Sequence, residues 1–371
     1  MQINQITIPF IILIGLLYAN NDNRRNRLSY ILLCSGVLLM IAALRSPEWM
    51  TNTYNIDTVN YKEHFESTFD TDMGWDDFLH MFYLRYVQNM DDYDVGFVAL
   101  NKIISLFTHE FWVYSMVADL LFFVPFGIIL YRYTTSTRQI MFAFVFYVAL
   151  IQVFLIGGAR QIYSLGFDLM ALLAILDRKR ILATVLFLIG VTIHLSSFLF
   201  IIPLLMIWYG VKPATLKFLH AICFIVFPVV LMFPNEMIVF MGNTVGMEKY
   251  AEYGKSGIQG GSENFIFLIE TLSFFFLLAI SRKALLANQN IRNFYVMAPL
   301  LTFFAPLIIS NGSMIRISLY YHLFIALLVP YAIDCAFGKE NSGIVYACAI
   351  GVLSLLTLSG GGITYYFFWQ V

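Results

Sequence analysis

The stretch FWVYSMVADLLFFVPFGIILYR, residues 111–132, holds one acidic residue, Asp119, before its closing arginine. A helix needs about 20 mostly apolar residues to cross a bilayer, and this chain repeats that pattern from end to end. Candidate spans fall near 6–20, 28–45, 111–132, 138–157, 161–177, 180–194, 195–210, 214–233, 264–281, 292–310, 313–336 and 343–359. The pair flanking Ile193–His194 reads equally as one bent helix, so the expectation is about 10–14 transmembrane helices. A transmembrane barrel would alternate apolar and polar residues in segments of about ten, and these runs do not alternate.

Composition closes the other classes. The chain is 60% apolar, 17% aromatic and only 12% charged, with a mean hydropathy of +0.77. Soluble domains average roughly 45–50% apolar and about 25% charged, so a soluble enzyme is excluded. Twenty-two basic residues against 23 acidic give a net charge of −1, which offers nucleic acid nothing to bind. Cys34, Cys223, Cys335 and Cys348 lie in apolar runs without metal-type or disulfide spacing and read as small apolar residues. The segment MQINQ before the first run is uncharged and no small-residue cleavage site follows, so no cleavable signal is expected.

Charge sets the orientation. NNDNRRNR, YRYTTSTRQ, DRKR, YGVKPATLK, SRKALLANQNIR and FGKEN hold 14 of the 22 basic residues. By the positive-inside rule these short loops face the cytoplasm. The expectation is then one integral membrane domain, residues 1–371, with two external loops at 46–110 and 234–263. The first loop is acidic, and Val59 to Gln88 shows helical periodicity. Its DVGFVALNKIISLF, residues 94–107, is apolar on one face and too short to span, as in an interfacial or re-entrant helix.

Ionisable groups at membrane depth are costly and default to functional candidates. Arg45, Arg160, His194 and Arg316 all fall at the outer ends of spans. A guanidinium keeps its charge and grips phosphate oxygens with two parallel bonds. Gly157 and Gly158 before Arg160 would let a pyrophosphate approach the backbone. Snorkelling to lipid headgroups is the plain alternative for a single interfacial arginine. His194, in IHLSS, reads as a general base or a hydrogen-bond donor to a phosphate or sugar hydroxyl, or as a polar residue satisfied by Ser196 or Ser197. Asp119 and Asp168 read as counter-ions of a buried arginine. Asp57 precedes Tyr61 by one helical turn. Asp70 and Asp72 form a DxD, weak as a metal signal in an acidic loop, and His109, His220 and His322 lack ligand spacing, so no metal and no cofactor is expected.

Four segments carry a resemblance. LRSPEWMTNTYNIDTVNYKEHF, DVGFVALNKIIS, GGARQIYSLGFDLMALLAI and VTIHLSSFLFIIP, in this order and at one membrane face, resemble the EpsG family, relatives of the Wzy polymerases of O-antigen, capsule and exopolysaccharide. Asp94 stands where the family has Glu. The resemblance implies a GT-C-like all-α membrane glycosyltransferase that needs no metal. It would join undecaprenyl-pyrophosphate-linked repeat units at the periplasmic face of the bacterial inner membrane, with a chain-length regulator as a further partner. Carried over by residue, Arg160 and Arg316 would hold the donor pyrophosphate and Arg45 would border it. The base stays open among Asp57, His194 and Asp94, and Tyr61 and Trp49 would meet the acceptor glycan. A flippase for the same lipid, an O-antigen ligase and a membrane acyltransferase are the rival classes. A flippase would thread its ionisable groups through the midplane instead of gathering them at one face.

Overall fold

The structure is a computed structural model and describes residues 3–46, 56–70, 74–88, 94–245, 263–279, 288–311, 314–359 and 365–369. Helices α1 (Asn4–Ala19) and α2 (Arg24–Ala43) form an opening pair. The Asn23 side chain caps α2 by accepting the Asn26 amide at 2.9 Å, and the Tyr30 hydroxyl donates to the Ile11 carbonyl at 2.8 Å across the pair. Three short helices follow from the acidic region: α3 (Ile56–Asp70), α4 (Trp75–Tyr86) and α5 (Val95–Ser105). Then come α6 (Phe111–Tyr133), α7 (Thr137–Leu150), α8 (Gln152–Gly157), α9 (Ala159–Leu176) and α10 (Arg180–Ile193).

The segment expected as one span at 138–157 is broken at Ile151, between α7 and α8. At His194 the backbone is extended, φ −156° and ψ 120°, so α10 ends there. A 3₁₀ turn, Leu195–Phe200, leads into Ile201–Tyr209. The two spans around Ile193–His194 are therefore separate helices meeting at an extended residue. Further helices run Pro213–Met232, Pro234–Val245, Glu263–Ala279, Gln289–Tyr295, Met297–Ser310 and Ile315–Ser359. Pro234–Val245 is a helix within the expected loop 234–263. Ile315–Ser359 turns at Gly338, where φ is 73°, a left-handed value that suits glycine. That turn separates the spans expected at 313–336 and 343–359.

Six helices are long and apolar enough to cross a membrane: Arg24–Ala43, Phe111–Tyr133, Ala159–Leu176, Pro213–Met232, Ile315–Gly338 and Glu340–Leu358. Shorter apolar helices such as Asn4–Ala19, Thr137–Leu150 and Arg180–Ile193 accompany them. Among the described residues there is no strand beyond one isolated bridge. The protein is an all-α polytopic membrane protein. Cys34 and Cys223 are buried as expected of small apolar residues, whereas Cys348 is exposed.

The chain divides into two compact units. The first comprises residues 1–132, 151–204 and 357–371; the second comprises 133–150 and 205–356. The core of the first is aromatic: Tyr61 and Phe65 of α3, Phe97 and Ile104 of α5, Phe111 and Tyr114 of α6, Tyr163 of α9 and Ile193 of α10. Phe65 stacks on Tyr114 with ring centroids 4.4 Å apart, and the Tyr114 hydroxyl donates to Asn101 at 2.7 Å. Lys102 reaches the Thr68 carbonyl at 3.1 Å, placing a cation at the C-terminal end of α3. In the second unit, Met297–Ser310 packs against Pro213–Met232, Pro234–Val245 and Glu263–Ala279. There Gln139 donates to Asp334 at 2.8 Å, and His322 pairs with Glu270, both fully buried.

Two glycines set the spacing of the first unit. A Cβ on Gly96 of α5 would lie 2.7 Å from the Thr192 backbone carbon of α10. One on Gly166 of α9 would lie 2.6 Å from the Leu121 backbone carbon of α6. Neither neighbour is a side chain that can swing away, so both contacts demand glycine. Gly166→Val should lower the thermal unfolding temperature of the detergent-purified protein, by the roughly 1–3 kcal/mol that overpacking costs. Gly351→Ala, whose new Cβ would meet nothing within 4 Å, should leave it unchanged. Equal melting of the two variants would refute the close helix contact.

Candidate functional site

Four helix ends of the first unit converge on one cluster. Asp94 immediately precedes α5, and its carbonyl accepts the Phe97 and Val98 amides that start the helix. Arg160 stands in the first turn of α9, and His194 at the C-terminal end of α10. Asp57 and Tyr61 lie on the first turns of α3. The Gly96 contact with Thr192 and Ile193 holds the start of α5 against the end of α10, which brings Asp94 beside His194.

Asp94 is the centre of the cluster. Its Oδ2 accepts a bond from Arg160 Nη1 at 2.7 Å and lies 3.6 Å from His194 Nδ1. The second distance exceeds a formed hydrogen bond. Arg160 extends over two rings, 5.8 Å from the Tyr61 centroid and 5.7 Å from that of Phe97, within cation–π range. Asp57 is near enough to act on the same guanidinium. An arginine at a helix N-terminus opposes the helix dipole, so Asp94 and the two rings offset an unfavourable placement. Side-chain exposure is 39% for Arg160, 22% for His194 and 14% for Asp94. The cluster is open to an arriving ligand on the arginine side.

Asp57, Tyr61, Asp94, Arg160 and His194, chosen from the sequence, are thus brought together. Arg45 is not part of that group. It is 4% exposed and lies 3.6 Å from Asp119, which is wholly buried. The pairing of a buried arginine with Asp119 matches the sequence expectation; contact of Arg45 with pyrophosphate does not fit its surroundings. The C-terminal segment closes over this pair. Ser46 donates its amide to the Tyr366 carbonyl at 2.8 Å and Phe368 donates to Leu44 at 3.0 Å, while Tyr365 bonds the Ile41 carbonyl.

Other expectations need amending. Tyr61 is 6% exposed beneath Arg160 and against Phe97, centroids 5.7 Å apart, so its ring supports the arginine. Ser196 and Ser197 do not satisfy His194: Gln161 donates to Ser196 at 3.2 Å, and Ser197 donates to Asp168 at 2.8 Å. Asp168, expected beside an arginine, takes this serine instead. The two bonds pin the 3₁₀ turn after His194 to the helix that carries Arg160. Sequence reasoning missed that link, although the polar spacing Gln161, Ser164, Asp168 on one face of α9 carries its signal. Arg316 is half-buried in the first turn of Ile315–Ser359 and belongs to the second unit. Trp49 and Asp72 lie outside the described residues. Among the described residues no three His, Cys, Asp or Glu side chains are grouped to hold a metal.

Fold and site define a polytopic membrane protein with an arginine–carboxylate–histidine cluster assembled from helix ends. The EpsG family model matches residues 49–359, and the chain belongs to the EpsG family, a Wzy-like family of polysaccharide polymerases. Asp57, Asp94, Arg160, His194 and Arg316 fall inside the matched stretch; Arg45 and the C-terminal segment fall outside it. No curated protein and no solved structure matches the chain.

The buried Arg45–Asp119 pair gives a test of its own. A guanidinium cannot shed its charge, so Asp119→Leu should cost about 3–5 kcal/mol of stability by stranding it. Adding Arg45→Met should restore much of that loss, read as detergent-resistant folded protein after heating. A double variant less stable than Asp119→Leu alone would contradict the pairing.

Proposed function

We propose that the Asp94–Arg160–His194 cluster is the transfer site of a GT-C-type glycosyltransferase. In this reading it polymerises undecaprenyl-pyrophosphate-linked oligosaccharide repeat units at the periplasmic face of the inner membrane. The observation that carries it is the 2.7 Å Arg160–Asp94 bond with His194 Nδ1 3.6 Å from the same carboxylate oxygen, in a chain of the EpsG family. No side chain caps the N-terminus of α9 at Gly158. The positive end of the α9 dipole and the Arg160 fork therefore offer one positive pole to a pyrophosphate.

The chemistry is a displacement. The acceptor hydroxyl oxygen attacks the anomeric carbon of the donor glycan. The carbon–oxygen bond to pyrophosphate breaks, and the leaving group departs with the electron pair. Arg160 neutralises the charge that develops on it, so activated phosphate chemistry proceeds without a metal. The acceptor proton passes to a base. Asp94 is tied to Arg160, which makes it a poorer base than His194; it is better suited to orient the imidazole through Nδ1, leaving Nε2 for the acceptor. Asp57, beside the same arginine, completes the negative wall. Arg45, paired with Asp119, acts through the fold and not on the substrate. The phosphate-binding role of Arg316 rests on its residue type and its setting in SNGSMIRIS. The acceptor role of Trp49 rests on its residue type alone.

The test is ladder formation by purified protein from a defined polyprenyl-pyrophosphate oligosaccharide, resolved on gels. Arg160→Lys keeps the charge and loses the fork. The loss of a charge-assisted bond, about 1.5–3 kcal/mol, should slow ladder growth about ten- to hundredfold at about 1.4 kcal/mol per decade. Wild-type ladders should persist in EDTA. Near-normal ladders from Arg160→Lys would remove Arg160 from phosphate binding, and EDTA loss reversed only by Mg²⁺ would overturn the metal-free reaction. Arg316→Lys tests the second arginine in the same assay.

A further inference from the structure

Helices α2 and α6 of the first unit leave a groove between them. They run antiparallel there: Arg24 sits over Tyr131, 4.9 Å from the ring centroid, and the Gly127 Cα faces Ile31. The groove has a volume of about 350 Å³ and is bounded by Leu28 and Tyr131 at one end and Leu39 and Leu120 at the other. Gly36 and Gly127 keep it open. A Cβ on Gly36 would meet nothing within 4 Å, and one on Gly127 would meet only Ile31, at 3.4 Å. Apolar side chains on its rim, Leu32 at 64% and Val124 at 50% exposure, face outward.

Three features name an occupant. The walls are hydrocarbon-like. The groove runs from residue 28 to residue 39 of α2, roughly 16 Å at 1.5 Å per residue, which is about half of the 30 Å hydrocarbon core. It therefore spans one leaflet, the reach of an ordinary acyl chain, and a polyprenyl chain would overrun it. At its mouth the charge is positive. Arg24 and Arg25 are exposed, while Arg132 is already matched by Asp177 at 3.0 Å and Arg27 by Asp22 at 3.8 Å. An anionic headgroup on that chain would meet Arg24 where the groove opens.

We propose that this groove is a binding site for one anionic glycerophospholipid, with an acyl chain between α2 and α6 and its phosphate on Arg24. The site is independent of the transfer cluster and of any reading of it. By the positive-inside reading of NNDNRRNR it belongs to the cytoplasmic leaflet.

The experiment is native mass spectrometry of the delipidated full chain titrated with phosphatidylglycerol, phosphatidylcholine or undecaprenyl phosphate. Phosphatidylglycerol should be retained about tenfold better than phosphatidylcholine. Arg24→Ala should abolish that preference and Arg24→Lys should keep most of it. Gly36→Leu with Gly127→Leu, apolar changes that fill the groove, should remove the retained lipid. Equal retention of the two phospholipids by the unaltered chain would overturn the proposal, as would full phosphatidylglycerol binding by the filled variant. Displacement of phosphatidylglycerol by equimolar undecaprenyl phosphate would overturn the assignment to a glycerophospholipid. The exposed Arg24 variants keep the test valid if the filled variant does not fold.

Discussion

Everything proposed for the site hangs on one carboxylate oxygen. Asp94 Oδ2 accepts from Arg160 Nη1 at 2.7 Å and lies 3.6 Å from His194 Nδ1, so one carboxylate stands between two cationic or proton-accepting groups from different helices. That placement exists because α5 and α10 meet at backbone distance, which only Gly96 permits. The carboxylate also resolves an electrostatic conflict, since a charged arginine at a helix N-terminus is otherwise at the wrong pole. The site is thus a product of helix termini, where backbone ends and side chains remain polar in an otherwise apolar body.

Around it, buried polar groups stand in pairs. Arg45 meets Asp119, Asp168 meets Ser197, Gln161 meets Ser196, and in the second unit His322 meets Glu270. Such pairing is what a chain must do when no water is at hand. It also separates two kinds of arginine. Arg45, 4% exposed with its counter-ion fixed, carries structure; Arg160, half open with one fork arm committed, retains capacity for a ligand. The C-terminal segment adds to the first kind, since its backbone bridge to Leu44 and Ser46 seals the Arg45 pair.

Much of this was legible in the sequence, for physical reasons. Apolar runs long enough to cross a bilayer pointed to the class of fold, ionisable residues at the ends of those runs singled out Arg160 and His194, and the family resemblance of the acidic loop singled out Asp57 and Asp94. What stayed hidden depends on distances between helices. Nothing in LRSPEW tells that Arg45 turns inward, because end-of-span arginines look alike until a partner such as Asp119 is placed beside them. Likewise Tyr61 looks like an exposed sugar-facing ring until Phe97 and Arg160 cover it. The breaks at Ile151 and His194 occur inside apolar runs that carry no proline or charge at the break. Glu270 and His322 lie on separate apolar helices, so their pairing has no local signal.

The central claim, that the glycan is transferred at the Asp94–Arg160–His194 cluster, is tested most directly by imaging a donor in place. The decisive measurement is an electron cryo-microscopy map of the protein with a non-transferable polyprenyl-pyrophosphate oligosaccharide bound. The account predicts a pyrophosphate within hydrogen-bond reach of the Arg160 guanidinium and the first sugar beside His194. A pyrophosphate bound elsewhere, with the Arg160–Asp94 bond intact and His194 unapproached, would contradict it.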